Sequence, residues 1–221
     1  MPAITAPNPR ATCRRLLVCG LLSVTALLSA CGPHMVTSNV LRFNEMAATP
    51  QGGTFSIAPE HDQEGSLEFR GYADLVARRL EAQGYRRTSN AATADMVVSV
   101  LYSVDDGRTE YWSTPIYSYN DYWRRYYGAS TVGPYPYIEP IGTDTHSSTV
   151  FTHRLEVRIS DGGKLRKGKR ENLFEGRAVT ERSTREPVHT VPALILALFE
   201  NFPGQSGVPT TVRIPEPVMP R

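Results

Sequence analysis

The sequence predicts an α+β domain, a mainly antiparallel twisted sheet with two helices packed on one face and a long aromatic loop. Three observations carry that prediction. Short runs rich in β-branched residues alternate apolar and polar, two segments show a 3.6-residue period instead, and most aromatic residues crowd into one stretch. With 221 residues, 40% of them apolar and 21% charged, the chain can bury a core and is neither wholly disordered nor a polytopic membrane protein.

The elements follow in order. Val36 to Phe43 reads as a strand, and Gly52-Gly53 leads into a second at Thr54 to Ala58. Residues 59–65 are polar and read as loop. From Ser66 the period becomes helical, with Leu67, Tyr72, Leu75, Val76 and Leu80 on one face and Arg70, Asp74, Arg78, Arg79 and Glu81 away from it. Ser66 suits the N-cap, Glu68 the positive helix end, and Gly84 the left-handed position that ends the helix. Tyr85 to Thr88 reads as a short strand and residues 91–94 as a turn. In Asp95 to Val104 one face is fully apolar and the other half-apolar, the pattern of a central strand.

Thr149 to Ser160 alternates Leu155, Val157 and Ile159 against Arg154, Glu156 and Arg158, and Asp161-Gly162-Gly163 opens a hairpin loop. The return strand is Asn172 to Thr180. Val188 to Phe202 reads as a helix with Leu194, Ile195, Leu198 and Phe199 inward, and Pro192 fits only its first turn. An edge strand at Val208 to Ile214 precedes a Pro-rich tail, 215–221, expected to be disordered. Residues 36–214 are thus expected to form one domain.

The amino terminus carries an address. Leu16 to Leu28 is an apolar run behind Arg14-Arg15, shorter than the ~20 residues a membrane-spanning helix needs. A charged lead, a short apolar stretch and small residues form the layout of a secretory signal. Leu28-Ser29-Ala30-Cys31 resembles the bacterial lipobox. That resemblance implies removal of residues 1–30, a diacylglyceryl thioether and further acylation (palmitate) on Cys31, and residues 31–35 as a lipidated tether. Two or three acyl chains anchor stably where one does not, at ~0.8 kcal/mol per buried methylene. Gly32 rather than Asp after the cysteine points to the outer membrane, with the domain facing the periplasm. Cys13 and Cys19 would leave with the signal, so the mature chain has no thiol for catalysis, zinc or a disulfide. Arg10, Arg14 and Arg15 would leave too. The remainder is near neutral, with no overall field to gather nucleic acid, and no nucleic-acid partner is expected.

Two clusters stand out. Residues 111–137 hold both Trp and eight of the eleven Tyr. Such residues give large amphipathic contact area at low entropy cost, which suits recognition of a protein, a glycan or a lipid headgroup. Tyr122, Trp123, Arg124 and Tyr126 are the candidate contacts. The plain alternative is a loop packed on its own sheet. Lys164, Arg166, Lys167, Lys169 and Arg170 crowd the hairpin loop and are candidate contacts for an anion, with a merely soluble hairpin tip as the alternative. Catalytic signatures are missing: there is no G-x-S-x-G, P-loop or H-E-x-x-H. Asp144, His146 and His153 suggest a metal or triad only until parity is considered, since 146 and 153 face opposite sides of one strand. No catalytic residue, metal or cofactor is expected.

The element order resembles the bacterial lipoprotein family of domain of unknown function 4136. The residues carrying the resemblance are Cys31, the helix end Leu80-Glu81-Ala82-Gln83-Gly84-Tyr85, and the strand entry Ala94-Asp95-Met96-Val97-Val98. The Leu155/Val157/Ile159 strand ending at Asp161 and the Phe202-Pro203 helix end add to it. Phe174-Glu175-Gly176 lacks the family's Trp before Gly, and Pro203-Gly204 replaces its Pro-Pro. The resemblance implies an envelope lipoprotein without an established activity. The expectation is a non-catalytic binding or scaffold module presenting the aromatic loop to an envelope protein or glycolipid. An outer-membrane assembly accessory that contacts glycolipid is the alternative, and an envelope enzyme a more distant one.

Overall fold

The computed structural model describes residues 34–46, 52–119 and 138–216. Strand β1 (Met35–Asn44) is followed by β2 (Thr54–Ile57), a single 3-10 turn at His61–Gln63, and helix α1 (Leu67–Ala82). Then come β3 (Arg86–Arg87), β4 (Met96–Val104), β5 (Arg108–Tyr119) and the long β6 (Ile138–Asp161). Helix α2 (Gly162–Arg166), β7 (Asn172–Arg182), α3 (Thr190–Phe199) and β8 (Thr210–Pro215) complete the chain.

The strand order is β3-β2-β4-β6-β7-β1-β8, with β5 paired only to β6. β6 lies antiparallel to β4, β5 and β7, and β7 to β1. β2 is parallel to both β3 and β4. The sheet is therefore mixed: the pairings among β1, β4, β5, β6 and β7 are antiparallel, as expected, and the two made by β2 are parallel, which was not expected. The reason is the strand–helix–strand unit β2-α1-β3, whose crossover helix brings the chain back to run in the same direction. There are also three helices rather than two: Asp161 does not open a loop but caps α2, its carboxylate accepting from the Lys164 N–H at 2.8 Å.

One sheet face is the core. Val98, Val100 and Tyr102 of β4 register with Ile159, Val157 and Leu155 of β6, and these in turn with Phe174, Gly176 and Ala178 of β7. α1 and α3 supply the other layer, with Val76, Leu80, Leu194 and Leu198 fully buried. Each such side chain contributes ~1.5–3 kcal/mol. α1 begins at Ser66, whose hydroxyl accepts from the Phe69 N–H at 3.1 Å, and Gly84 has φ +91° after its end. Its inner face holds Phe69, Tyr72, Val76 and Leu80, while Leu67, expected inside, is 75% exposed. α3 is buried nearly all round, which its sequence TVPALILALF permits. Among the described residues no helix is long and apolar enough to cross a membrane.

α3 ends on a charge. Arg42 lies on the inward face of β1, alternating with Val36, Ser38 and Val40, and is 5% exposed. Its Nε donates to the Leu198 carbonyl at 2.9 Å, and Nη2 donates to Ala197 and Glu200 carbonyls at 2.8 and 3.0 Å. A guanidinium thus satisfies the orphan carbonyls of the last turn and opposes the helix dipole. Burial presses its pKa down and the nearby Glu200 charge resists that.

Candidate functional site

The most unusual feature is a projecting ribbon. β5 pairs with residues 138–150 of β6 and with no other strand. All of residues 108–117 are exposed, as are 140–147. The aromatic segment expected as a loop is therefore a strand over 111–119. Tyr122, Trp123, Arg124 and Tyr126 lie outside the described residues, as does Cys31.

Along the ribbon, Trp112 faces His146 and Thr114 faces Asp144, while Tyr111 faces Ser147 and Ser113 faces Thr145. The Trp112 indole stacks on the His146 ring with centroids 5.8 Å apart, and His146 Nε2 lies 3.3 Å from an Asp144 oxygen. An irregularity after Ile116 leaves Ile141 as the extra residue of a bulge. Tyr111 is 73% exposed, Tyr117 58% and Trp112 51%. Neither face of the ribbon is covered.

The root is firmly built. The Asp105 carboxylate accepts from the Thr152 and Gly107 N–H groups at 2.8 and 3.0 Å, and these bonds hold its pKa below the usual carboxylate range. Gly107 has φ +82°, and a Cβ there would sit 2.7 Å from the Phe151 ring. Only glycine fits this backbone. Arg108 reaches Glu181 at 2.8 Å and Glu110 at 3.0 Å, and Arg185 reaches Asp106 at 3.0 Å.

His153 sits just inside the root. It is fully buried, its Nε2 donating to the Thr184 carbonyl at 2.8 Å, whereas His146 is exposed on the ribbon. Parity along β6 separates them as expected. Among the described residues no three potential metal-ligating side chains come together.

The basic cluster lies at the other end of β6. Lys164 pairs with Glu171, which pushes its pKa up, and Lys169 lies 3.8 Å from the same carboxylate. Arg166 donates to the Ala94 carbonyl at 2.9 Å. Lys167 and Arg170 have no ion-pair partner among the described residues. The cluster thus ties α2 to the start of β4. Gly162 N–H bonds the Asp95 carbonyl at 2.8 Å, and a Cβ on Gly162 would lie 2.2 Å from the Ala94 oxygen. The Asp95 carboxylate accepts from Thr54 N–H and hydroxyl, both at 2.8 Å, so its pKa is lowered. Asp95 and Asp161, two residues that carried the resemblance, meet here as structural clasps. Eleven residues of β6 separate Val150 at the ribbon root from Asp161, about 36 Å of strand, so ribbon and basic cluster share no surface.

A cavity of about 390 Å³ is lined by Ser56, Ile57, Arg87, Thr88 and Ser89. Its one charged group, Arg87, is paired with Asp74 at 2.7 Å.

The fold is thus α+β, a mixed sheet backed on one face by helices, with an exposed aromatic ribbon extending its longest strand. The model of the domain of unknown function DUF4136 matches residues 40–204, and the chain belongs to that family. Its structure is similar to a PDZ domain protein from Parabacteroides distasonis, with TM-score 0.43 and 12% identity over 87% of this chain and 42% of that one. The chain therefore spans less than half the length of that relative. A DUF4136 family protein from Bacteroides thetaiotaomicron is similar with TM-score 0.34 and 14% identity, over 70% of this chain and 89% of that one. The PelC dodecamer from Paraburkholderia phytofirmans follows at 0.32 and 13%, over 72% and 91%. No curated protein matches the sequence.

Proposed function

We propose that this chain is a lipid-anchored lipoprotein of the bacterial cell envelope, held at the periplasmic side of the outer membrane through Cys31. It acts as a non-catalytic binding or scaffold module whose recognition element is the β5–β6 ribbon. The observation that carries this reading is the ribbon itself, which exposes Tyr111, Trp112 and Tyr117 on a firmly built root. A two-stranded ribbon with both faces wet is marginal alone, and exposed Trp and Tyr are the residues that recognition surfaces enrich. The separation of ribbon and basic cluster speaks against one ligand touching both.

Two measurements test the reading. Cys31→Ala should release the chain from the membrane fraction after a salt wash, and retention there overturns the lipid anchor. A photo-crosslinking residue at Tyr117 should give a discrete adduct in cells. A folded, anchored variant without any adduct overturns the ribbon as recognition element.

A further inference from the structure

Seven of the ten large apolar residues exposed among the described residues lie at one end of the domain. Five are on the ribbon: Tyr111, Trp112, Ile116, Tyr117 and Ile141. Leu67 and Val188 join them at its base. Val36 precedes the β1–β7 register Asn39↔Val179, which places the start of the domain beside the end of β7 where Arg182 meets Phe151. Leu67 lies in the first turns of α1, where the Tyr72 ring meets that of Tyr102 near the end of β4, 4.9 Å between centroids. Val188 lies between Thr184, bonded to His153, and the start of α3. Only Phe43 and Val208 stand at the opposite end, where Gly207 N–H bonds the Arg42 carbonyl.

The chain enters the domain at this same apolar end. Val36 is five residues after Cys31, a span of at most about 18 Å when fully extended. The twelve residues of β5 extend about 40 Å, more than twice that span. An acyl anchor on Cys31 therefore holds the ribbon root close to the bilayer, and the ribbon is too long to stand clear of it in that direction. Residues 111–119 carry no Asp, Glu, Lys or Arg, and the facing strand over 138–150 carries only Glu139 and Asp144, two carboxylates that the headgroup layer can keep hydrated and hydrocarbon cannot. Depth follows from the backbone. Among the described residues both ribbon edges carry N–H and C=O groups with no strand beside them, which hydrocarbon cannot satisfy but water and headgroups can. Trp and Tyr favour that same interfacial layer.

We propose that the ribbon lies in the headgroup layer of the bilayer that holds Cys31, a second, aromatic membrane contact that orients the domain. The inference rests on the lipoprotein reading. The occupant is lipid, recognised by aromatic burial rather than charge, because the basic cluster faces the opposite way.

The test uses the full lipidated chain in vesicles of phosphatidylethanolamine and phosphatidylglycerol. Tyr117→Cys provides an attachment point for the environment-sensitive dye NBD, with Lys167→Cys as the control at the other end. Emission at position 117 should rise several-fold over position 167 and be quenched more by headgroup-proximal nitroxide lipids than by chain-end ones. Neither effect should change in 0.5 M NaCl. As a second measurement, Trp112 in Trp123→Phe should be quenched at least twofold by shallow brominated lipids. Chain that floats with the vesicles while 117 and Trp112 stay unquenched overturns the ribbon contact alone. A 117 signal that follows protein density rather than lipid also overturns it, in favour of a second copy. Chain that leaves the vesicles overturns the Cys31 anchor, and the contact with it.

Discussion

Replacing Arg42 by Met tests how α3 is held. The substitution keeps the apolar stem in the core and removes three donated hydrogen bonds, to the carbonyls of Ala197, Leu198 and Glu200. Hydrogen bonds from a charged donor are worth ~1.5–3 kcal/mol each, but the three are not additive, because relaxation at the helix end lets water reach some of the freed carbonyls. Losing the charge at the negative helix end adds ~0.3–1 kcal/mol, and relief of a buried guanidinium returns part of the total. The net expectation is a loss of about 3 kcal/mol, equivalent to a melting temperature roughly 6–12 °C lower for a domain of this size. Circular dichroism melts of the purified chain read this directly. Arg42→Lys should fall between, since one ammonium cannot reach three carbonyls. Arg177→Met, exposed on the open face of β7 and opposite Leu41, should move the midpoint by no more than about 2 °C. An Arg42→Met midpoint within 2 °C of the parent refutes the capping argument.

Gly162→Ala should destabilise by roughly 2 kcal/mol or more, because its Cβ meets backbone oxygen at 2.2 Å; denaturant titration measures it. Gly71→Ala should do the opposite, gaining about 0.5–1 kcal/mol in the same titration, since the site is an exposed helix interior with open space around it. Asp95 has a depressed pKa in the fold, so its contribution is present above the unfolded value near 3.8 and is lost as pH falls through the folded one. The stability gap between parent and Asp95→Asn should therefore be largest at neutral pH and close in acid, as melts across the pH range would show. Trp112→Ala should leave the melting temperature within about 1–2 °C, because the ring is half exposed and, among the described residues, its one ring partner is the exposed His146.

Period and punctuation made much of the domain readable. The helical period after Ser66, the alternation of Leu155, Val157 and Ile159, and Pro192 in the first turn of α3 all correspond to the elements found. Leu67 was misplaced because a first-turn residue can satisfy the period and still precede the packed turns; Phe69 took the inward position. The ribbon escaped for a deeper reason. Apolar alternation reports one buried face, and a strand wet on both faces has no such alternation to read. Pro115 argued further against a strand, although the Thr, Tyr, Trp and Ile content of β5 favours one. Parallel pairing of β2 was hidden by its length, four residues against two in β3. Arg42 did carry a signal, for it shares parity with Val36 and Val40 and so had to point inward. The basic turn shows the converse limit. A count of positive charges sees a patch, whereas Glu171 and the Ala94 carbonyl make three of its members into fasteners.

β6 is a single uninterrupted strand of 24 residues, shared by ribbon and core. Within the sheet it is hydrogen-bonded along nearly its whole inner half to β4 on one side and β7 on the other. A pull on the ribbon along its axis is therefore delivered in shear to two ladders at once, not as the unzipping of one. Such a load is resisted by many bonds breaking together. The ribbon works as the handle of a lever whose blade is the sheet, and between the bulge at Ile141 and the register shift at Ser160 the strand carries such a load on regular pairing alone.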